Sequence, residues 1–112
     1  MSGHDLYNSL QTTLSRIDRA IDSLAANGRK LAQAEHDYRV ALAKEILKLR
    51  EASMPVSVIG DIARGTTDIA DLKMARDTAQ AVYDANSEAI QAWKLQARLI
   101  ESQIDREWNR RE

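Results

Sequence analysis

The sequence predicts an all-α protein, a long antiparallel two-helix coiled-coil hairpin that self-associates into a helical bundle. Three observations predict it. Apolar residues recur three and four apart along nearly the whole chain, from Leu10, Leu14, Ile17, Ile21, Leu24, Gly28, Leu31, Glu35, Tyr38, Leu42, Glu45 and Leu49 to Ile69, Leu72, Arg76, Ala79, Tyr83, Asn86, Ile90, Trp93, Ala97, Ile100 and Ile104; that spacing is one face of a helix. The repeat is interrupted only around Met54 to Gly65, where the single proline stands. The stretches on either side of the break carry opposite charge: Arg29 to Arg50 has six bases against three acids, and Asp61 to Glu88 has six acids against three bases. Folding the chain back at the break lays these stretches side by side.

The first helix is expected over about residues 5–52, starting near His4 or Asp5. Asn27-Gly28 is ordinarily a turn signal, so a break there and a three-helix bundle are the alternative. Leu24 and Leu31 lie one heptad apart and keep the same stripe across Gly28, a register that a loop has no reason to preserve, and this favours a continuous helix. Pro55 lacks the N–H that a helix interior needs and biases Met54 toward extended geometry, so the helix ends by about Ser53.

A connector follows over about 53–66. Its Val56 to Ile62 stretch is apolar enough for a short turn of helix capped by Ser57. Thr66, Thr67 or Asp68 then caps the second helix, about 67–108, with Asp71 adding negative charge in its first turn. The whole chain, 1–112, reads as one helical-hairpin domain. By coiled-coil geometry the facing residue numbers sum to roughly 117 to 121. That register places Leu49 near Ile69 and Leu24 near Trp93, sets Gly28 where the Trp93 indole needs room, and brings Glu45 within a turn of Arg76. Asn86 reads as a buried amide that fixes alignment.

Composition bounds the function. A two-helix hairpin of 112 residues without phenylalanine has one narrow apolar stripe and no thick core, so a second copy is expected to cover what remains, as a dimer or higher oligomer. The net charge of -1 gives no global attraction for nucleic acid or an anionic membrane. The absence of cysteine removes disulfide and thiolate chemistry and Cys-ligated zinc, and is compatible with a reducing cytoplasm. No apolar run approaches the ~20 residues that span a bilayer, and the N-terminus has neither a basic nor an apolar signal region. A cytoplasmic protein without a membrane partner is the expectation.

Catalytic and cofactor motifs are not found. A di-iron bundle needs Glu-x-x-His, which does not occur. Glu35-His36-Asp37 diverge by ~100° per residue and cannot converge on one ion, which leaves His36 a solvated surface residue. Val58 to Gly65 has no P-loop lysine, and Ile62 to Thr67 compares poorly with the turn of a helix-turn-helix. No metal, cofactor or enzymatic activity is therefore expected.

Two kinds of contact site are left. Met54, Val56, Val58, Ile59 and Ile62 form an apolar cluster at the hairpin tip, either a contact surface for an unidentified protein partner or a plug over the end of the bundle. Arg29, Lys30, Arg39, Lys44, Lys48 and Arg50 are candidates for nucleic-acid contact, against the simpler role of neutralising the acidic second helix. Arg106, Arg110 and Arg111 flank Trp108 but are offset by Asp105, Glu107 and Glu112; Trp108, one turn after Ile104, is better suited to terminal packing or an oligomer contact than to base stacking.

The runs Asp37-Tyr38-Arg39-Val40-Ala41, Leu49-Arg50-Glu51-Ala52-Ser53-Met54-Pro55-Val56 and Ile59-Gly60-Asp61-Ile62-Ala63-Arg64-Gly65, with a long alanine-rich helix ending Glu101 to Trp108, resemble small helical-hairpin proteins encoded in phages and prophages. The resemblance covers about Asp37 to Trp108. Such proteins often lie among genes for recombination or replication, so it implies an accessory role in the cytoplasm of a bacterial host cell, without a mechanism or site residues. The sequence thus favours a non-catalytic protein acting by protein contact, as an assembly factor, adaptor or inhibitor. The competing reading is a nucleic-acid-binding accessory of recombination or replication.

Overall fold

The computed structural model describes residues 2–111, the side chain of Arg111 excepted. Among them are three helices, α1 (Gly3–Glu51), α2 (Val56–Gly65) and α3 (Thr67–Arg111), and no strand. The protein is an all-α helical hairpin.

α1 begins earlier than His4 because Ser2 caps it: its Oγ accepts the backbone N–H of Asp5 at 3.2 Å, satisfying one of the orphan donors of the first turn. The helix then runs unbroken through Asn27 and Gly28. It stops at a Schellman motif. Ser53 takes the left-handed conformation (φ 62°), its N–H donates to the Arg50 carbonyl at 3.0 Å, and the Met54 N–H donates to that of Leu49 at 3.2 Å. Orphan carbonyls are thereby satisfied before Pro55 forbids another turn.

The connector holds more helix than the expected short turn, because Pro55 sets a helix-compatible φ of -58° at the start and nothing in the next ten residues breaks it. Ser57 is not the cap: it lies inside the first turn, and Pro55 occupies the cap position without a side-chain bond. At the next junction the hydroxyl of Thr66 donates back to Ile62 O at 3.0 Å. Its carbonyl accepts Ala70 N–H at 2.8 Å to open α3. Asp68, and not the expected Asp71, is the acid of that first turn, because α3 opens at Thr67.

The chain forms two compact units, Met1–Ala26 with Asp84–Glu112, and Asn27–Tyr83. In the first, Leu6, Ile17 and Ala20 of α1 and Ile90, Ala97 and Ile100 of α3 are buried. Thr13 is 2% exposed and donates its hydroxyl to Ser9 O at 2.9 Å, so it packs as an apolar residue does. Asn86 Nδ2 donates to the carbonyl oxygen of Ala20 at 3.1 Å. The amide does cross between the helices, and the small side chain at position 20 is what lets it approach the backbone.

In the second unit Tyr38, Ile59, Ala63 and Ile69 are buried. A Cβ on Gly28 would sit 3.5 Å from the Tyr83 ring, and Arg76 reaches Glu35 at 3.6 Å. Two expectations are corrected here. Gly28 lies opposite Tyr83 instead of making room for Trp93, and Arg76 meets Glu35 instead of Glu45. Facing numbers total 111 at both of these pairs and 106 at Ala20 and Asn86, one to two heptads less than the 117 to 121 expected. The reason is α2. With a total of 111, Thr67 comes level with about Lys44, so the last two turns of α1 run past the start of α3, and Glu45, Ile46 and Leu49 are half-buried there.

Within α1 the buried stripe also departs from the expected one. Leu14 and Ile21 are 39% and 48% exposed, and their neighbours Thr13 and Ala20 take the inner positions.

Candidate functional site

The tip is built by α2 and the two junctions that flank it, the Schellman turn at Ser53 and the extended Thr66. Five apolar residues were candidates, and the structure separates them. Ile59, with Ala63 one turn later, faces inward and is buried, closing the end of the second unit. Met54 is half-buried. Val56 is 77% exposed, and Val58 and Ile62, one turn apart, are exposed as well. Ile59 and Ala63 thus form the buried stripe of one amphipathic helix, Val58 and Ile62 flank it about 100° away, and Val56 is exposed at the first position of the helix. A shallow groove continues from the end of α2 along α3, lined by Arg64, Ala70, Lys73, Met74, Asp77, Thr78 and Ala81. Met74 is exposed there. Sequence reasoning missed it, because a lone methionine off the seam carries no periodic signal.

The charges of this unit neutralise one another. The Arg76 guanidinium donates to Asp77 Oδ1 at 3.0 Å and lies 4.6 Å from the centre of the Tyr38 ring, a cation–π contact. The hydrogen bond to Asp77 is the main cause holding Arg76 above its ordinary value. Lys73, at 3.0 Å, and then Arg76 hold the Asp77 carboxyl below the usual carboxylate range. Asp37 is lowered likewise, first by a hydrogen bond from Gln33 and then by His36; His36 itself is exposed. The pair that crosses at Arg76 and Glu35 has its base on α3 and its acid on α1, opposite in sense to the net charges of the two stretches.

The basic candidates do not form a stripe. Arg39 is held by Glu35 at 2.6 Å, one turn along its own helix. Arg29 and Lys30 are consecutive and diverge by ~100°. Lys30 and Lys44 share a column with Asp37 and Glu51 at seven-residue spacing, so charge alternates along it. Lys48 and Arg50 are exposed and two residues apart, on different sides of the helix.

In the unit that carries both chain ends, Tyr7, Ile104, Glu107 and Trp108 line a groove of about 250 Å³ with Gly3. Trp108 is 66% exposed; Arg106 and Arg110 line a neighbouring depression with Leu6, Gln103 and Glu107, and the side chain of Arg111 lies outside the described residues. Among the described residues no group of three or more His, Cys, Asp or Glu could hold a metal ion, and no helix is long and apolar enough to cross a membrane.

Comparison with known proteins returns no matching family model, curated protein or solved structure.

Proposed function

We propose that this is a non-catalytic, self-associating helical hairpin that acts by protein contact, as an assembly factor, adaptor or inhibitor in a phage or bacterial cytoplasm. The observation that carries the reading is the two-sided α2. Its inner residues Ile59 and Ala63 are buried, which holds the helix in place, while Val56, Val58 and Ile62 stay in solvent. An ordered helix that leaves Val58 and Ile62 partly accessible on one flank and Val56 accessible at its start is a surface whose burial by a partner removes apolar area from water. The resemblance to phage hairpin proteins supplies the setting.

The test uses the full chain and a variant with Val56, Val58 and Ile62 changed to serine. Val58 and Ile62 keep only 38% and 39% of their surface accessible, so the variant should melt somewhat lower, and circular dichroism must show that it retains its helix content at the temperature of the assay. Capture from lysate of the source cells should retain at least one protein on the wild-type chain and lose it on the variant. Retention of the same proteins by both chains would remove the tip from the function.

A further inference from the structure

We propose that a second copy of this chain packs its α3 antiparallel against α3, through the side of the helix turned away from α1, so that Met74 of each copy meets Leu99 of the other. The inference rests on the self-association part of the proposed function and locates its surface.

α3 is one unbroken helix, Thr67–Arg111, so the height and direction of each side chain along it follow from helix geometry alone. Its seam toward α1 runs from Ile69 to Ile104. A second run stands two residues beyond the first, about 200° around the helix and hence on its back. Met74, Ala81, Glu88 and Leu95 follow one another there at seven-residue spacing, with Thr78, Ala85, Ala92 and Leu99 beside them. Every one of these is exposed. Glu88 is the single charge on a strip about 37 Å long. Its many alanines keep the strip from reading as a seam in the sequence, yet a repeat spaced three and four apart is what a further helix covers. α1 has no such back: in the unit it shares with residues 84–112, Asn8, Gln11, Ser15, Asp18 and Asp22 occupy it.

The strip is its own complement, which is why the occupant is a second copy. A two-fold axis perpendicular to α3, at the height of Asn86 and Ser87, reverses the strip onto itself. Met74 then lies level with Leu99 of the other copy, Thr78 with Leu95 and Ala81 with Ala92, so large side chains fall at the two ends and alanines between them let the helices approach closely. The extent of the strip selects this register. A slide of one heptad sets Leu95 against Asp71 in one direction and Met74 against Arg106 in the other. Along one flank the acids Asp77 and Asp84 precede the base Arg98, so the reversal sets base beside acid twice, as an isologous interface requires. Near the axis the two Glu88 side chains come within about a turn of each other, a repulsion that a helix back left in water would not feel.

The test is sedimentation equilibrium of the full chain at micromolar concentrations, with circular dichroism to check helix content. The wild-type chain should be dimeric. Leu95→Glu with Leu99→Glu, both on the outside of the helix, should raise the dimer Kd roughly tenfold or more by burying charge. Glu88→Ala should lower it about threefold or more by removing the repulsion at the axis. Because the chain has no cysteine, single cysteines read the register. In a homodimer of Ala81→Cys the two thiols stand about 16 Å apart along the helix, as they do for Ala92→Cys, too far for a disulfide; in the mixed dimer they are level. Oxidised glutathione should therefore cross-link an equimolar mixture of these two variants and neither variant alone. A wild-type dimer unaffected by Leu95→Glu with Leu99→Glu or by Glu88→Ala, or a mixture no more cross-linked than its components, overturns this interface and leaves self-association standing. A monomeric wild-type chain overturns both.

Discussion

In the unit that carries both ends of the chain, α1 and α3 bury Leu6, Ile17 and Ala20 with Ile90, Ala97 and Ile100, and the Asn86 amide donates to the Ala20 carbonyl across them. In the unit that carries the reversal, the corresponding level holds Tyr38 with Arg76 over its ring and Glu35 beside it, and apolar burial comes from Ile59, Ala63 and Ile69 around α2. The difference teaches that one amphipathic seam can do two jobs. Where only two helices meet, small and apolar side chains must let them approach closely. In the unit that also contains α2, apolar burial is supplied by Ile59, Ala63 and Ile69, and the seam carries long charged side chains that discriminate between registers at little gain in stability.

The contrast breaks most readily at Ile90. Changing it to alanine removes buried apolar volume from the two-helix unit and should lower unfolding stability in urea by about 2–4 kcal/mol. A loss below about 1 kcal/mol would mean that this unit does not depend on its apolar seam. Next in size is Gly28→Ala. The added Cβ meets Tyr83 at an ordinary contact distance of 3.5 Å, so gained helix propensity should raise stability by about 0.5–1 kcal/mol; a decrease would show that close packing on Tyr83 requires the glycine. Arg76→Met should leave the urea midpoint nearly unchanged, since the cation is partly solvated and its loss is offset by apolar packing on Tyr38. A large loss in chemical denaturation would refute the view of this seam as discriminating more than stabilising.

The smallest effect concerns pH. The Asp77 carboxyl is depressed in the folded chain, so its contribution is present above the unfolded value and fades as pH falls through the folded one. Stability should therefore decline on acidification below about pH 4, and less steeply in Asp77→Asn. Parallel pH profiles for the two chains would show that its partners do not matter.

Every seam residue named on α3 from Ile69 to Ile104 is buried or half-buried, because a strong three-four repeat leaves little freedom of phase. On α1 the repeat was ambiguous by one position. Leu14 and Ile21 are the more apolar residues, yet Thr13, with its hydroxyl satisfied locally, and the small Ala20 go inside, leaving the larger side chains outside. Register was not legible at all from periodicity, since a slide of one heptad matches every apolar position again. What decides it are particular contacts, Asn86 on the Ala20 carbonyl and Arg76 over Tyr38, and the helix in the connector, whose length Pro55 obscured. At the tip the cluster was visible in composition. Which members face out depended on where Ile59 and Ala63 find cover.

The Schellman reversal at Ser53 also has a kinetic meaning. It stands near the middle of the chain, so contacts close to it join near neighbours in sequence, whereas the bond from Asn86 to Ala20 closes a loop of 66 residues. Loop-closure entropy rises with length, and helix growth is fast once nucleated. Pairing should start beside α2 and zip outward, each turn shortening the loop left for the next, so that Leu6 and Ile100 are among the last to come together and the first to part.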